Sequence, residues 1–258
     1  MNPTACLLII GNEVLSGRTR DANLQFLATR LGERGMPLRE VRVIPDVPDT
    51  IIDTVNEVRQ KFDHVFTTGG IGPTHDDITS ECIARAFGVP WEVHEETRAL
   101  MAADYASRTP PVQLNAARLR MATLPRGAVP IRNPATTAPG FSMGNVHVMA
   151  GVPRIMQAMF DALAPSLPRG EPVLSRAVHA LGVYEGQIAA GLEAIQQRFA
   201  EIDIGSYPFY RADAPGGGGV ALVAKGTEAA VLDAAAAAIT EMLAGMGVAP
   251  IAGEPTTP

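Results

Sequence analysis

Two adjacent aspartates close a stretch dominated by glycine: residues 67–79 read TTGGIGPTHDDIT. Residues 63–66 (DHVF) before it read as a short buried strand, and 80–87 after it as a helix. Glycines where a strand hands over to a helix let the backbone approach a ligand closely, and the free N–H groups at a helix start attract an anion. Carboxylates on the same turn would repel a bare phosphate. Asp76 and Asp77 therefore imply a divalent cation between protein and phosphate. The competing reading is an ordinary glycine turn with an aspartate as helix N-cap.

The elements that must hold this stretch are legible in chain order. Residues 5–10 are continuously apolar and end at Gly11, the pattern of a parallel strand covered on both faces. Residues 12–19 (NEVLSGRT) read as a loop, after which Asp21 is placed to cap a helix with Leu24, Leu27, Ala28 and Leu31 on its apolar face. Residues 38–44 alternate apolar and charged side chains and read as a strand near an edge. Asp49 is placed to cap a further helix bearing Ile51, Ile52, Val55 and Val58. Strand, helix, strand, helix, strand, glycine loop, helix is the order of an open, mostly parallel α/β sheet. Ligands bind beyond the carboxyl ends of such strands, which gathers the loops at 11–17, 45–49 and 69–79. Glu13, Asp46, Asp76 and Asp77 then share one edge.

Farther on, 92–123 read as helices interrupted by Thr109-Pro110-Pro111, and 129–132, 140–143 and 145–149 as short strands with a tight turn at Gly144-Asn145. Pro153 suits the first turn of the next helix. Residues 165–172 hold three prolines and a glycine and form the best linker. This predicts a three-layer αβα domain over 1–167, a small α+β domain of β-α-β-β-α order over 172–250, and a disordered tail at 251–258. The glycines at 216–219 read as a hairpin tip, because no strand-to-helix step follows them.

Composition narrows the function. The 258 residues are 47% hydrophobic and 19% charged, with a formal charge of −6 and no basic run, so nonspecific nucleic-acid binding has no electrostatic footprint. Cys6 and Cys82 lie in apolar segments without metal-ligand spacing, which favours a reducing compartment. No uninterrupted apolar stretch is long enough to span a membrane, and the expectation is a soluble cytoplasmic protein. His64, His94, His147 and His179 have no partner spacing. Met149, Met156 and Met159 read as packing, as does Trp91. Tyr207, Phe209 and Tyr210 cluster beyond a strand.

The chain resembles the molybdopterin-binding domain shared by MoaB/MogA proteins and the amino-terminal part of CinA. GNEVLSG at 11–17 resembles the family's opening motif, and TGGIGPTHDDIT at 68–79 its glycine–aspartate signature. NPATTAPGF at 133–141 and MAGVPRIM at 149–156 resemble its later motifs. LGVYEGQIAAGLE and IGSYPFY resemble the second small domain of CinA-type proteins and of eukaryotic FAD synthases. The amidohydrolase domain of full-length CinA has no counterpart in the sequence, so nicotinamide mononucleotide deamidation is not expected of it. Thr136 stands where the family often has glycine, Ile155 where it has glutamate, and Ala150 and Val152 replace prolines of the later motif.

The resemblance implies magnesium-assisted adenylylation of molybdopterin on one branch. On the CinA-like branch it implies cleavage of an ADP-ribose- or FAD-type pyrophosphate with Mg2+, Mn2+ or Co2+, joined in some members by K+. It aligns Asp77 with the family's metal-binding aspartate and Asp46 with its second functional acid. These two are the expected catalytic pair, with Asp76 as a third acid at the metal or the helix N-cap. Gly69, Gly70 and Gly72 can donate backbone N–H groups to phosphate, and Thr74 and Thr79 hydroxyls, unless these cap the helix. His75 can reach the same phosphate. Glu13 orients a ribose or pterin edge, or holds its own loop. The partners expected are a small phosphate ligand, molybdopterin or nucleotide, and further copies of the chain in a homo-oligomer. A non-catalytic binding protein is the third reading.

Overall fold

Six consecutive apolar residues make β1 (Ala5–Ile10), and every one is buried. In the computed structural model, which describes residues 2–211 and 217–255, β1 lies inside a six-stranded sheet ordered β2-β1-β3-β8-β7-β6. The partners are β2 (Leu38–Ile44), β3 (His64–Thr68), β6 (Val129–Ile131), β7 (Gly140–Met143) and β8 (Val146–Met149). β2, β1, β3 and β8 run parallel, while β7 and β6 add antiparallel at one edge. Gly144 takes φ 56° and forms with Asn145 the tight turn between β7 and β8.

Residue alternation along β1 splits the core. Cys6, Leu8 and Ile10 pack with Ile51, Val55 and Val58 of α3 (Pro48–Lys61) and with Cys82 and Ile83 of α4 (Thr79–Ala86). Ala5, Leu7 and Ile9 pack with Leu27 and Leu31 of α2 (Asn23–Glu33) and with Met156, Met159 and Phe160 of α7 (Pro153–Leu163). The result is the three-layer αβα architecture. Each fully buried Leu, Ile or Phe side chain contributes about 1.5–3 kcal/mol.

Several local expectations are corrected. The segment after Gly11 is not all loop: Asn12–Leu15 forms a one-turn helix, α1. Ala22 is the N-cap of α2, and Asp21, one residue earlier, still accepts the Leu24 N–H at 2.8 Å. The buried face of α2 is Asn23, Leu27 and Leu31, and Leu24 and Ala28 are exposed. Asp49 lies within the first turn of α3, whose start is set by Pro48 with Val47 before it. β2 is an edge strand, but its faces are reversed from the simple expectation. Val41 and Val43 are exposed while Glu40 and Arg42 are half-covered, because Arg42 ion-pairs with Glu57 of α3 and Glu40 with Lys61.

Residues 91–125 hold more than helix. β4 (Trp91–Val93) pairs antiparallel with β5 (Thr123–Pro125), flanking α5 (Glu95–Ser107) and the single-turn α6 (Ala116–Leu119). Trp91 donates its indole N–H to the Thr123 carbonyl at 2.9 Å, a long-range pairing that no local pattern announces.

The chain divides into two units, Met1–Gly170 and Glu171–Pro258. The second contains β9 (Leu174–Leu181), α8 (Glu185–Arg198), β10 (Asp203–Tyr210), β11 (Gly218–Gly226), α9 (Ala229–Gly245) and β12 (Ile251–Ala252). Its antiparallel sheet is ordered β10-β11-β9-β12. Val178, Ala180, Leu222 and Ala224 face Ile188 and Ile195 of α8 and Leu232 and Ile239 of α9. The expected disordered tail is corrected: Ile251 and Ala252 pair with His179 and Val178, and Gly253 donates to the Ala177 carbonyl at 2.8 Å. Residues 256–258 of that tail lie outside the described residues. Of the expected hairpin tip, Gly216 lies outside them too, and Gly218 and Gly219 belong to β11. Among the described residues, no helix is long and apolar enough to cross a membrane.

Candidate functional site

Four parallel strands end at one edge, at Ile10, Ile44, Thr68 and Met149, and the loops that follow them meet there. Gly69 is the junction. It has φ 105°, donates its N–H to the Met149 carbonyl at 3.1 Å, and a Cβ on it would lie 2.1 Å from the Ile10 carbonyl oxygen. Gly151, after β8, packs so that its own Cβ would stand 3.3 Å from the Gly69 Cα. Only glycine permits this approach of three chain segments.

Gly70 takes φ 66°, and its carbonyl accepts the Thr79 N–H at 2.9 Å. The Thr79 side chain is buried against Gly70, and its hydroxyl has no hydrogen-bond partner among the described residues. It closes the loop from behind and does not line the cleft. Gly72 lies under the Asp77 carboxylate, since a Cβ there would come 2.6 Å from Oδ2. That Oδ2 accepts both the Thr74 N–H, at 2.8 Å, and the Thr74 hydroxyl. The Asp77 carbonyl accepts from Arg120 at 3.0 Å. The N-cap of α4 is Ile78, with no side-chain cap, so neither aspartate serves as the cap.

The three acids do not assemble into one cage. Asp77 lines the cleft, while Asp46 and Asp76 are absent from its described lining. Asp46 accepts the Asn12 N–H at 2.8 Å and so ties the loop after β1 to the end of β2. Asp76 is largely exposed beside His75, whose ring is 98% exposed. Among the described residues, no three His, Cys, Asp or Glu side chains converge to hold an ion. Glu13 folds back over Gly11, where a Cβ would lie 2.5 Å from Oε2, and forms part of the cleft wall.

The cleft measures about 820 Å3. Glu13, Gly69, Gly70, Gly72 and Asp77 form one side of it. On the other side, Thr136 after β6 and Val152 and Ile155 after β8 stand where the motif departures were expected to frame the cleft, while the sequence reading missed Tyr105 and Arg108 at the end of α5 and Asn133 after β6. Arg108 pairs with Asp104 at 2.6 Å and stacks over Tyr105 at 4.5 Å. An arginine four residues after an aspartate at a helix end was its only signal. Asn133 is buried and braces its loop, donating to Ala138 O at 2.7 Å and accepting from Ala135 N at 3.0 Å. Thr136, Ala150, Val152 and Ile155, the departures from the family motifs, all face the cleft.

Electrostatics limit what this cleft can do unaided. Its titratable lining groups of clear charge are Glu13, Asp77 and Arg108, two acids against one base that already pairs with Asp104. A polyanionic ligand therefore needs a cation brought with it. The thiols offer no nucleophile, because burial pushes both Cys6 and Cys82 up to about 11.

Residues 6–169 match the probable molybdopterin binding domain. The chain belongs to this family. All the loops just described lie within the matched residues 6–169, and 172–251 match the middle domain of FAD synthase. A protein of Pyrobaculum calidifontis is 37% identical over 214 residues, covering 80% of this chain and 81% of the relative. A protein of Aeropyrum pernix is 33% identical over 215 residues, covering 80% of each. The crystal structure of CinA from Thermoplasma acidophilum, a protein described as of unknown function, superposes with a TM-score of 0.59. It is 32% identical and covers 64% of this chain and 98% of its own. The chain is thus a CinA-like member of the molybdopterin-binding family.

Proposed function

We propose that this protein hydrolyses the pyrophosphate of a nucleotide of the ADP-ribose or FAD type. The observation that carries this reading is one cleft, of about 820 Å3, that unites a glycine loop, an oriented carboxylate and an apolar wall. Phosphate seats against the backbone N–H groups of Gly70 and Gly72, because the expected third donor, the Gly69 N–H, is taken by the Met149 carbonyl, and Thr74 holds the Asp77 carboxylate facing it. A Mg2+-, Mn2+- or Co2+-type ion needs only one or two carboxylates when phosphate and water complete its shell, so Asp77 alone fits as the protein ligand. Such an ion supplies charge neutralisation at phosphorus and a more acidic water. Asp46, through the Asn12 amide, positions the loop that carries Glu13 against a ribose hydroxyl. Arg108 meets the second phosphate. Water oxygen bonds to one phosphorus, the bridging P–O bond breaks, AMP and the second phosphate ester leave, and the proton passes to solvent.

Purified protein incubated with ADP-ribose, FAD and NAD, each with Mg2+, Mn2+ or Co2+ and added K+, tests this directly. AMP release that disappears in Asp77→Ala supports hydrolysis. No AMP from any substrate, with nucleotide binding retained, overturns it in favour of a binding protein. The match of 6–169 to a molybdopterin-binding domain favours a second reading, adenylylation of molybdopterin. It requires the adenylylated product to form from ATP and molybdopterin together.

A further inference from the structure

The small sheet of the second unit is covered by α8 and α9 on one face. The other face holds a separate cavity of about 340 Å3. Tyr207 and Phe209 stand two residues apart on β10 and so project to the same side. Tyr207 pairs in register with Ala221 of β11, and Gly205 with Val223. Large rings thus rise beside a floor of smaller side chains. A Cβ on Gly205 would lie 2.9 Å from the Tyr207 hydroxyl, so the Tyr207 ring extends along its own strand over a residue without a side chain. Phe209 is held edge-on by buried His179, 5.9 Å between ring centroids, and His179 Nδ1 lies 2.7 Å from the Gly253 carbonyl. Lys225 places its ammonium 5.7 Å from the Tyr207 ring centroid and makes no ion pair among the described residues.

We propose that this cavity binds a mononucleotide, its base against Tyr207 and Phe209 and its phosphate toward Lys225. The volume falls in the range of small-ligand pockets, which are mostly apolar with a few polar groups to fix orientation. Aromatic faces accept any nucleobase by stacking, and a lining ammonium with no acidic partner among the described residues selects an anionic ligand over a neutral one. Glu254 on the rim offers an acceptor to an exocyclic amine, as adenine carries. Added strands do not compete for this place: β10 is an edge strand with Pro208 in its middle, which interrupts the row of N–H donors that strand addition needs. The proposal is independent of the chemistry assigned to the cleft of the first unit.

Photolabelling the full chain with 8-azido-AMP, followed by trypsin digestion and mass spectrometry, tests it. Label is expected on the tryptic peptide 199–211, protected by AMP and not by inorganic phosphate. In Lys225→Glu, an exposed and so foldable change, labelling of that peptide falls about tenfold at equal probe, the size of a lost charge-assisted contact. Tyr207→Ser reduces it as well, with the melting curve unchanged. Label confined to peptides of the first unit, equal labelling in Lys225→Glu, or protection by phosphate as strong as by AMP each overturns the proposal.

Discussion

The side-chain amide of Asn23 donates to the carbonyl of Gly151 at 2.7 Å, joining the start of α2 to the loop after β8. Asn23 is buried, and its Oδ1 has no partner among the described residues. The bond pins a cleft loop that touches Gly69 from the other side. Asn23→Ala should cost about 1–3 kcal/mol in urea denaturation, the range for stranding a buried polar partner. In the AMP-release assay its KM should rise more than its kcat falls, since the substituted residue holds a wall of the cleft and touches no reacting atom. A variant of wild-type stability would show that the Gly151 loop is held by other contacts.

Gly69 and Gly127 both have positive φ, 105° and 86°, but their surroundings differ. A Cβ at Gly69 meets backbone oxygen at 2.1 Å, whereas nothing lies within 4 Å of one at Gly127. Gly127→Ala should cost only the conformational term, about 1 kcal/mol. Gly69→Ala should cost about 3 kcal/mol or more and abolish AMP release. Thermal melts of the two proteins side by side decide this, and equal losses would contradict the wedge geometry.

Asp77 and Asp46 separate by metal titration. Asp77→Asn should lower AMP release about 100-fold or more and raise the Mn2+ concentration needed for half activity. Asp46→Ala removes the acceptor of the Asn12 amide and should lower activity about tenfold with an unchanged Mn2+ requirement. A shifted Mn2+ requirement in Asp46→Ala would make Asp46 a ligand after all.

Away from the cleft, His147 and His64 stack with ring centroids 5.3 Å apart, and His147 Nε2 lies 3.0 Å from His64 Nδ1. Ser142 Oγ is 2.8 Å from His147 Nδ1. One proton between the rings satisfies the pair; a second makes one ring cationic and sets two N–H donors face to face. Burial, then the neighbouring His64, pushes His147 down to about 4, and burial lowers His64 too. A histidine depressed in the folded state contributes stability above its unfolded value of 6.5 and loses it as pH falls toward 4. Stability should therefore fall by about 3 kcal/mol across that window. In His147→Gln the fall should be shallower, read from denaturation midpoints at successive pH values.

How much was legible follows from range. Gly69, Gly70, Gly72 and Asp77 are adjacent in sequence, and their glycine spacing already required a loop at a strand end. Glu13 needed only the rule that parallel strands end together. Thr136 was legible only through its motif, and Arg108 was not legible at all, because its contribution depends on the end of α5 folding over the cleft. The buried hydroxyl of Thr79 and the exposed ring of His75 were equally hidden, since local sequence does not say which way a loop residue turns.

The sequence by itself determined the strand–helix order, the glycine–aspartate loop and the family, because apolar periodicity and glycine placement act within a few residues. The tertiary structure alone decided which acids meet. It sent Asp77 into the cleft under Thr74, turned Asp46 to the Asn12 amide and left Asp76 in solvent. Carboxylate roles are set by the donors that reach them, and those donors are fixed only when separate strands end side by side.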